Sequence, residues 1–140
     1  MTPLERITER VTRLGHPDDA AVPRPLLTID EFFASNDVVG SIGCNLEGSP
    51  LPKRFFELFR EIARKSGVAD IRVQVSMFDA PEWPFSDTVF IMTAESPEVV
   101  ASWFPDDLRP DEIESGFWEG VAYEPYEVPP GATPVRCWWD

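Results

Sequence analysis

The sequence predicts an α+β fold, and three features of the chain support that prediction. Apolar residues recur every three or four positions in some segments and every second position in others, which are the periods of helices and strands. Clusters of proline and glycine separate these segments. The chain has 140 residues, of which 43% are hydrophobic, and this suffices for the core of one domain. We therefore expect a helix and a proline-rich linker over residues 1–24 and a single α+β domain over 25–140.

Four helices are predicted from apolar spacing and from capping residues. Residues 3–15 carry apolar side chains at helical spacing and end at a glycine. Thr28 and Glu31 have the spacing of a capping box, which predicts a short second helix. The run LPKRFFELFREIARKSG has an apolar stripe and predicts a third helix. Ser96 followed by Pro97 predicts the start of a fourth.

Four strands are predicted where apolar and polar residues alternate. In GSIGCNL the side chains of Ile42, Cys44 and Leu46 would share one face. The segments DIRVQVSMFD, DTVFIMTA and PVRCWWD predict the other three strands. From Pro105 to Pro134 the chain is rich in proline and acidic residues, which predicts a loop-rich surface, and only PDEIESGFWEG suggests a helical turn.

From Ser41 onward, the predicted elements run strand, helix, strand, strand, helix, strand. That order matches the ferredoxin-like βαββαβ fold, an antiparallel sheet with both helices on one face. Because the first and last strands pair in this fold, Cys44 and Cys137 would lie close together on the helix-covered face. Cys44 is expected to be a buried, reduced thiol, with a bond to Cys137 as the alternative. No basic residue lies within eight positions of Cys44, so the pattern does not favour a catalytic thiolate.

The sequence lacks the common motifs of catalysis and of cofactor binding. It contains a single histidine, no CxxC or HxxxH spacing, no GxSxG and no GxGxxG. The acidic run DDLRPDEIE lacks the central glycine and the spacing of a calcium-binding loop. We therefore expect no catalytic residue, no metal site and no cofactor. The charged N-terminus and the few cysteines predict a cytoplasmic protein without a membrane contact.

The net charge of −13 is concentrated in the second half of the chain. Residues 1–72 hold 10 basic and 11 acidic side chains, whereas residues 73–140 hold 2 basic and 14 acidic ones. Such a negative region repels nucleic acid and speeds the encounter with basic proteins. The partner expected from this charge is a basic protein, although acidic residues also serve solubility alone.

All five tryptophans lie between residues 83 and 139. Trp138 and Trp139 are adjacent, so in a strand they point to opposite faces and one of them points away from the core. Tryptophan is enriched in binding hot spots. Either Trp138 belongs to a partner-binding surface, or the N-terminal helix covers it. The predicted partner-binding residues are Asp106, Asp107, Asp111, Glu112, Glu114, Trp118 and Trp138.

A second hypothesis uses the polar residues of one sheet face. Asn45, Arg72, Gln74 and Arg136 would lie on the face opposite the helices. They could hold an anionic metabolite, and the chain would then be a ligand-binding or enzyme domain. A deep pocket centred on Arg72 and Arg136 would favour this hypothesis, whereas a flat acidic and aromatic surface would favour a protein partner.

Three segments, GSIGCNL, WPFSDTVF and the terminal CWWD, resemble those of a family of small uncharacterised acidic bacterial proteins. The resemblance covers residues 25–140 and implies no catalytic residue, because the family has no established activity. In size and acidity the chain is also similar to immunity proteins. The resulting hypothesis is a non-enzymatic domain, of the immunity type or a regulatory inhibitor, that binds a basic protein.

Overall fold

The computed structural model describes residues 1–140 and shows a mixed α+β fold with one antiparallel sheet. The α-helices are α1 (Pro3–Val11), α2 (Ile29–Phe33), α3 (Pro52–Ala63) and α4 (Pro97–Ala101). The strands are β1 (Leu26–Leu27), β2 (Val68–Gln74), β3 (Thr88–Thr93), β4 (Glu112–Ser115) and β5 (Thr133–Trp138). The sheet order is β1-β2-β3-β5-β4, so β1 and β4 form its two edges. No helix has the length and apolar character needed to cross a membrane.

The capping signals in the sequence are confirmed. Thr28 Oγ1 accepts a hydrogen bond from the Glu31 backbone at 3.0 Å, and the Glu31 carboxylate accepts one from the Thr28 backbone at 2.9 Å. Ser96 Oγ accepts from the Val99 backbone at 3.2 Å, with Pro97 in the first helical position. These bonds satisfy N–H groups that the first turn of a helix leaves free.

The strand predicted over residues 41–46 is wrong, because this segment forms turns. Gly43 adopts φ 62°, a left-handed conformation that ends the alternation of a strand. A Cβ atom at Gly43 would lie 2.7 Å from Cζ of Phe55, so the loop packs directly on α3. Ile42 is buried as expected, whereas Cys44 is exposed, and the prediction of a buried Cys44 is therefore wrong.

The ferredoxin-like topology is not confirmed. Since residues 41–46 form no strand, β5 pairs directly with β3 and not with a strand from that segment. Cys137 is buried in β5, and both cysteines are free. Residues 112–115, where a helical turn was expected, form β4 because their backbone pairs with β5. The two-residue strand β1 is also absent from the sequence prediction.

The two faces of the sheet contribute to two separate apolar clusters. The main core lies between the helices and the face that contains Val73, Val89 and Cys137. The opposite face carries a smaller cluster of Leu26, Phe90 and Met92. Residues 116–132, which we name the C-terminal cover, pack on this second face with the aromatic and apolar side chains of Phe117, Trp118, Tyr123, Tyr126, Val128 and Ala132.

The N-terminal helix α1 packs into the main core. Ile7 and Val11 are buried there, in the same cluster as Trp139. Arg10 joins α1 to two other parts of the fold, through Glu31 at 2.9 Å and Glu124 at 2.8 Å. The alternative in which α1 covers Trp138 is therefore wrong, because Trp138 and Trp139 point to opposite faces of the sheet.

Candidate partner-binding surface

The structure brings together four of the seven predicted partner-binding residues. In the antiparallel register of β4 and β5, Glu112 lies opposite Trp138 and Glu114 lies opposite Arg136. Opposed residues of neighbouring strands project from the same face of a sheet. Trp118 reaches this face from the C-terminal cover, and its ring centre lies 6.3 Å from that of Trp138 at nearly a right angle.

Arg136 organises the centre of this group. Its guanidinium carbon lies 4.1 Å from the ring centre of Trp118, and Nη2 donates to Glu114 Oε2 at 3.0 Å. Nη1 donates to the Gly116 carbonyl at 2.9 Å, and Trp118 Nε1 donates to Thr88 Oγ1 at 3.0 Å. The side chain of Arg136 is 12% exposed and that of Glu114 is 62% exposed, so the carboxylate remains accessible above the pair.

The side chains of the other three predicted acids contact other partners, although the Asp111 backbone donates to the Trp138 carbonyl at 2.8 Å. Asp106 pairs with Arg109 at 2.6 Å, and Asp107 pairs with Arg54 at 3.2 Å. Both are well exposed, at 96% and 54%, so these pairs add little to stability. Asp111 Oδ2 accepts from Asn45 at 2.9 Å and from the backbone of Asp140 at 2.8 Å.

We name the joined group the acidic tryptophan surface and define it as Glu112, Glu114, Trp118 and Trp138. It stands at one edge of the sheet, since β4 pairs with β5 on one side only. Glu112 and Glu114 are exposed, and both tryptophans are half-buried. The group thus combines accessible negative charge with aromatic rings whose positions are set by neighbouring contacts.

The polar residues of the second hypothesis are only partly brought together. Arg72, Gln74 and Arg136 share the second sheet face, whereas Asn45 lies in the loop that contacts Asp111. Five surface cavities of about 180 to 590 Å³ are lined by neither Arg72 nor Arg136.

The hydrogen-bonding groups of that face are already occupied, partly by neighbouring strand residues and partly by the C-terminal cover. Arg72 Nε donates to Asp70 Oδ2 at 2.9 Å, and its guanidinium carbon lies 5.0 Å from the Tyr126 ring centre. Gln74 Oε1 accepts from the Tyr123 hydroxyl at 2.7 Å. These contacts hold the cover on the sheet.

Sequence reasoning missed a chain of hydrogen bonds beneath the cover. Gln74 Nε2 donates to Ser76 Oγ at 3.1 Å, and Ser76 Oγ donates to Asp87 Oδ1 at 2.6 Å. Thr88 Oγ1 donates to the same Asp87 oxygen at 2.8 Å and accepts from Trp118. The only sequence signal for it was the density of aromatic residues in a segment that otherwise resembles a loop.

The three segments that carry the family resemblance meet near one end of the sheet. The Ser86 backbone donates to the Ser41 carbonyl at 2.8 Å, which joins the SIGCNL and WPFSDTV segments. The Trp139 backbone donates to the Asp87 carbonyl at 3.0 Å, which joins WPFSDTV to the terminal CWWD. Because these are backbone bonds, they indicate a shared structural unit and assign no chemistry to the three segments.

The two tyrosines of the chain provide a direct test of how firmly the cover is packed. Burial raises the pKa of Tyr123 to about 12. For Tyr126, burial and then the hydrogen bond to Asp70 at 2.6 Å raise the pKa well above its usual range. An unfolded tyrosine loses its proton near pH 10, whereas the folded protein retains both protons there. We expect phenolate absorbance to appear near pH 10 in concentrated urea but only at higher pH in the native protein.

The raised pKa values of the two tyrosines predict that the folded protein becomes less stable at alkaline pH. Above pH 10 the unfolded state binds fewer protons than the folded state, so the free energy of unfolding falls as the pH rises toward about 12. Tyr123→Phe should remove its part of this pH dependence. Native phenolate absorbance that develops fully near pH 10 would show that the cover does not bury the two rings.

Comparisons with known proteins agree on one family. The model described as "Uncharacterized protein YfbO family" matches residues 2–137. The protein described as "Uncharacterized protein YfbO" from Escherichia coli (strain K12) is 43% identical over 140 residues, and the match covers 100% of both chains. No solved structure matches the chain significantly. The resemblance to a small uncharacterised bacterial family is confirmed, and the matched region includes α1.

Proposed function

Because the chain belongs to the Uncharacterized protein YfbO family, whose description assigns no reaction, we propose a function from the arrangement of its surface. The chain is a non-enzymatic domain that binds a basic protein through the acidic tryptophan surface. In doing so it neutralises or regulates that partner, as an immunity-type protein or an inhibitor does. The two free cysteines suit a reducing compartment, so the partner is expected in the cytoplasm.

The observation that supports this proposal is the position of the Trp118–Trp138 pair beside Glu112 and Glu114. The exposed carboxylates can attract a basic partner over distances near the Debye length, about 8 Å at physiological salt. A tryptophan that loses its remaining water at the interface can supply much of the lasting affinity. Charge and aromatic surface therefore lie together where both would contact one partner.

The rings are also held in place before a partner arrives. Trp118 is fixed by its stacking on Arg136 and by its hydrogen bond to Thr88. Trp138 lies in β5, between strands β3 and β4. Side chains that are already ordered lose less conformational entropy on binding, which favours affinity.

A small anionic ligand has less support as the natural partner. Arg72, Gln74 and Arg136 already bond to Asp70, Tyr123 and Glu114, so a ligand would have to displace these groups. The acidic net charge of the chain also repels an anion.

The test is affinity capture from the native host with a matched pair of charge variants. Glu112→Gln with Glu114→Gln removes two charges from the acidic tryptophan surface. The control, Glu47→Gln with Glu61→Gln, removes two exposed charges from another part of the chain. Neither glutamate forms an ion pair. We expect a basic protein to be retained at low salt by the wild type and by the control variant, and to be lost from the Glu112/Glu114 variant.

High salt should release the same protein from the wild type. The captured protein is then purified and its binding to each variant is measured in isolation. If the Glu112/Glu114 variant retains the same proteins as the control at every salt concentration, the acidic tryptophan surface is not a binding site and the proposed function fails.

A further inference from the structure

Strand β4 leaves one side of its backbone unpaired. The Gly116 N–H donates to the Pro134 carbonyl at 2.7 Å, and Glu114 and Glu112 lie at the alternate paired positions along β5. In an antiparallel pair, the residues between these positions direct their N–H and C=O groups to the other side. Ile113 and Ser115 therefore present two donors and two acceptors at the open edge, and no hydrogen bond outside the sheet involves them.

The opposite edge of the sheet is closed by the chain itself. The Leu26 carbonyl of β1 accepts from Arg10 Nη2 at 3.2 Å and from Arg72 Nη1 at 3.3 Å. Arg24 and Tyr123 form a further bridge next to β1. The chain thus supplies hydrogen-bond partners at the β1 edge, whereas α4 packs close to β4 but donates no hydrogen bond to the outward side of its backbone.

We propose that the β4 edge accepts an extended segment of the basic partner as a sixth strand of the sheet. This inference rests on the proposed function and adds the mode of binding and the chemistry of the bound segment. The segment hydrogen-bonds to the backbone of Ile113 and Ser115, and its side chains alternate between basic and apolar or β-branched residues.

The alternation follows from the two faces of β4. A residue on the added strand lies about 5 Å from its neighbour on β4, measured between Cβ atoms. On the second face these neighbours are Glu112 and Glu114, which are exposed and favour lysine or arginine. On the other face the neighbour is Ile113, which is half-buried against the main core and favours an apolar side chain.

Charge also argues against a second copy of this chain as the occupant. Two β4 strands paired edge to edge would bring their glutamates together on one face, and like charges across a strand pair are destabilising. The net charge of −13 adds a longer-range repulsion between copies. Carboxylates at a sheet edge can instead have the role of preventing further strands from pairing there. The experiment below distinguishes that role from binding.

The probe is a short peptide with blocked ends in which lysine alternates with valine or threonine. The control peptide carries glutamate in place of every lysine. Amide hydrogen exchange is followed by NMR on the wild-type protein. We expect the lysine peptide to slow exchange at Ile113 and Ser115 by about tenfold or more at saturation, and the glutamate peptide to leave both amides unchanged.

A matched pair of variants at one position separates backbone pairing from side-chain contact. Ser115→Ala and Ser115→Pro both remove the hydroxyl, but only proline removes the N–H that faces the open edge. The sheet does not use this N–H, so both variants should fold, as circular dichroism can verify. We expect Ser115→Ala to bind the lysine peptide like the wild type and Ser115→Pro to bind about tenfold more weakly.

Four results of the peptide experiments would contradict the inference. Strand addition is excluded if the lysine peptide does not bind at millimolar concentration, or binds without protecting Ile113 and Ser115. Equal binding of the glutamate peptide excludes the charge preference, and protection of these amides in a dimer without peptide identifies a second copy as the occupant. Should Ser115→Pro fail to fold, the exchange measurement on the wild type still decides. The proposed function has its own test. The loss of the partner from the Glu112/Glu114 variant is expected whether or not the partner binds as an extended strand.

Discussion

Replacing Trp139 with alanine is expected to lower the free energy of unfolding by about 3–5 kcal/mol. The side chain is 1% exposed, and its ring meets those of Phe55, Phe59 and Phe104 edge-on at centre distances of 5.8, 6.5 and 6.0 Å. Its Nε1 also donates to the buried Leu108 carbonyl at 3.1 Å. The alanine variant therefore leaves a large cavity and an acceptor without its donor. Urea denaturation measures the loss, which is a large part of the stability of a typical domain.

The neighbouring residue is the matched control. Trp138→Ala removes the same ring one position earlier, but that ring is half-buried on the other face of the sheet. We expect a clearly smaller loss of stability for Trp138→Ala, and an intermediate one for Trp139→Phe, which retains a ring but lacks the N–H. Equal losses for the two alanine variants would contradict the assignment of Trp139 to the main core.

The sequence predicted those elements whose signals are local. Thr28 with Glu31, and Ser96 with Pro97, identify the starts of α2 and α4 because a cap is formed within one turn of the helix. The opposite orientation of Trp138 and Trp139 follows from the two-residue period of a strand, and the structure confirms it.

The errors arise where tertiary contacts decide between local alternatives. The alternation in GSIGCNL is equally compatible with a loop that buries Ile42, and the packing of Gly43 on Phe55 selects the loop. Residues 112–115 form a strand because β5 is available to pair with them, and no signal within those four residues reveals β5.

The candidate site shows the same limit. Glu112, Glu114 and Trp138 come together because the pairing of neighbouring strands aligns them, and Trp118 joins them through Arg136. Their closeness in sequence suggested that Asp106, Asp107 and Asp111 belong to the same surface, but the turns before β4 direct these acids to other partners.

The C-terminal cover was expected to be a surface loop because it is rich in proline and acidic residues. Its aromatic side chains instead close the second sheet face over Phe90, with ring centres 4.8 Å away for Phe117 and 5.7 Å away for Tyr123. Composition averages the two kinds of residue, whereas the fold directs the aromatic side chains toward the sheet, leaves Glu119 and Glu127 exposed to water and pairs Glu124 with Arg10.

The charges and the tryptophans of the acidic tryptophan surface are expected to affect different steps of binding to the captured partner. Removing the charges with Glu112→Gln and Glu114→Gln should slow association, with little effect on dissociation, since long-range attraction acts before contact. Removing the ring with Trp138→Ala should speed dissociation by about 30-fold, which corresponds to about 2 kcal/mol for a hot-spot residue. Binding kinetics at two salt concentrations measure both effects.

The association rates of the wild type and of Trp138→Ala should fall steeply as salt is added, whereas that of the charge variant should fall less, because the glutamines have already removed part of the attraction that salt screens. The unfolding experiment on Trp138→Ala ensures that a faster dissociation is not caused by loss of the fold. If the charge variant dissociates faster and the tryptophan variant does not, the carboxylates make the close contacts and Trp138 is not an anchor. If both variants bind like the wild type, the negative charge of this edge serves solubility or protects the sheet, and the surface has no partner.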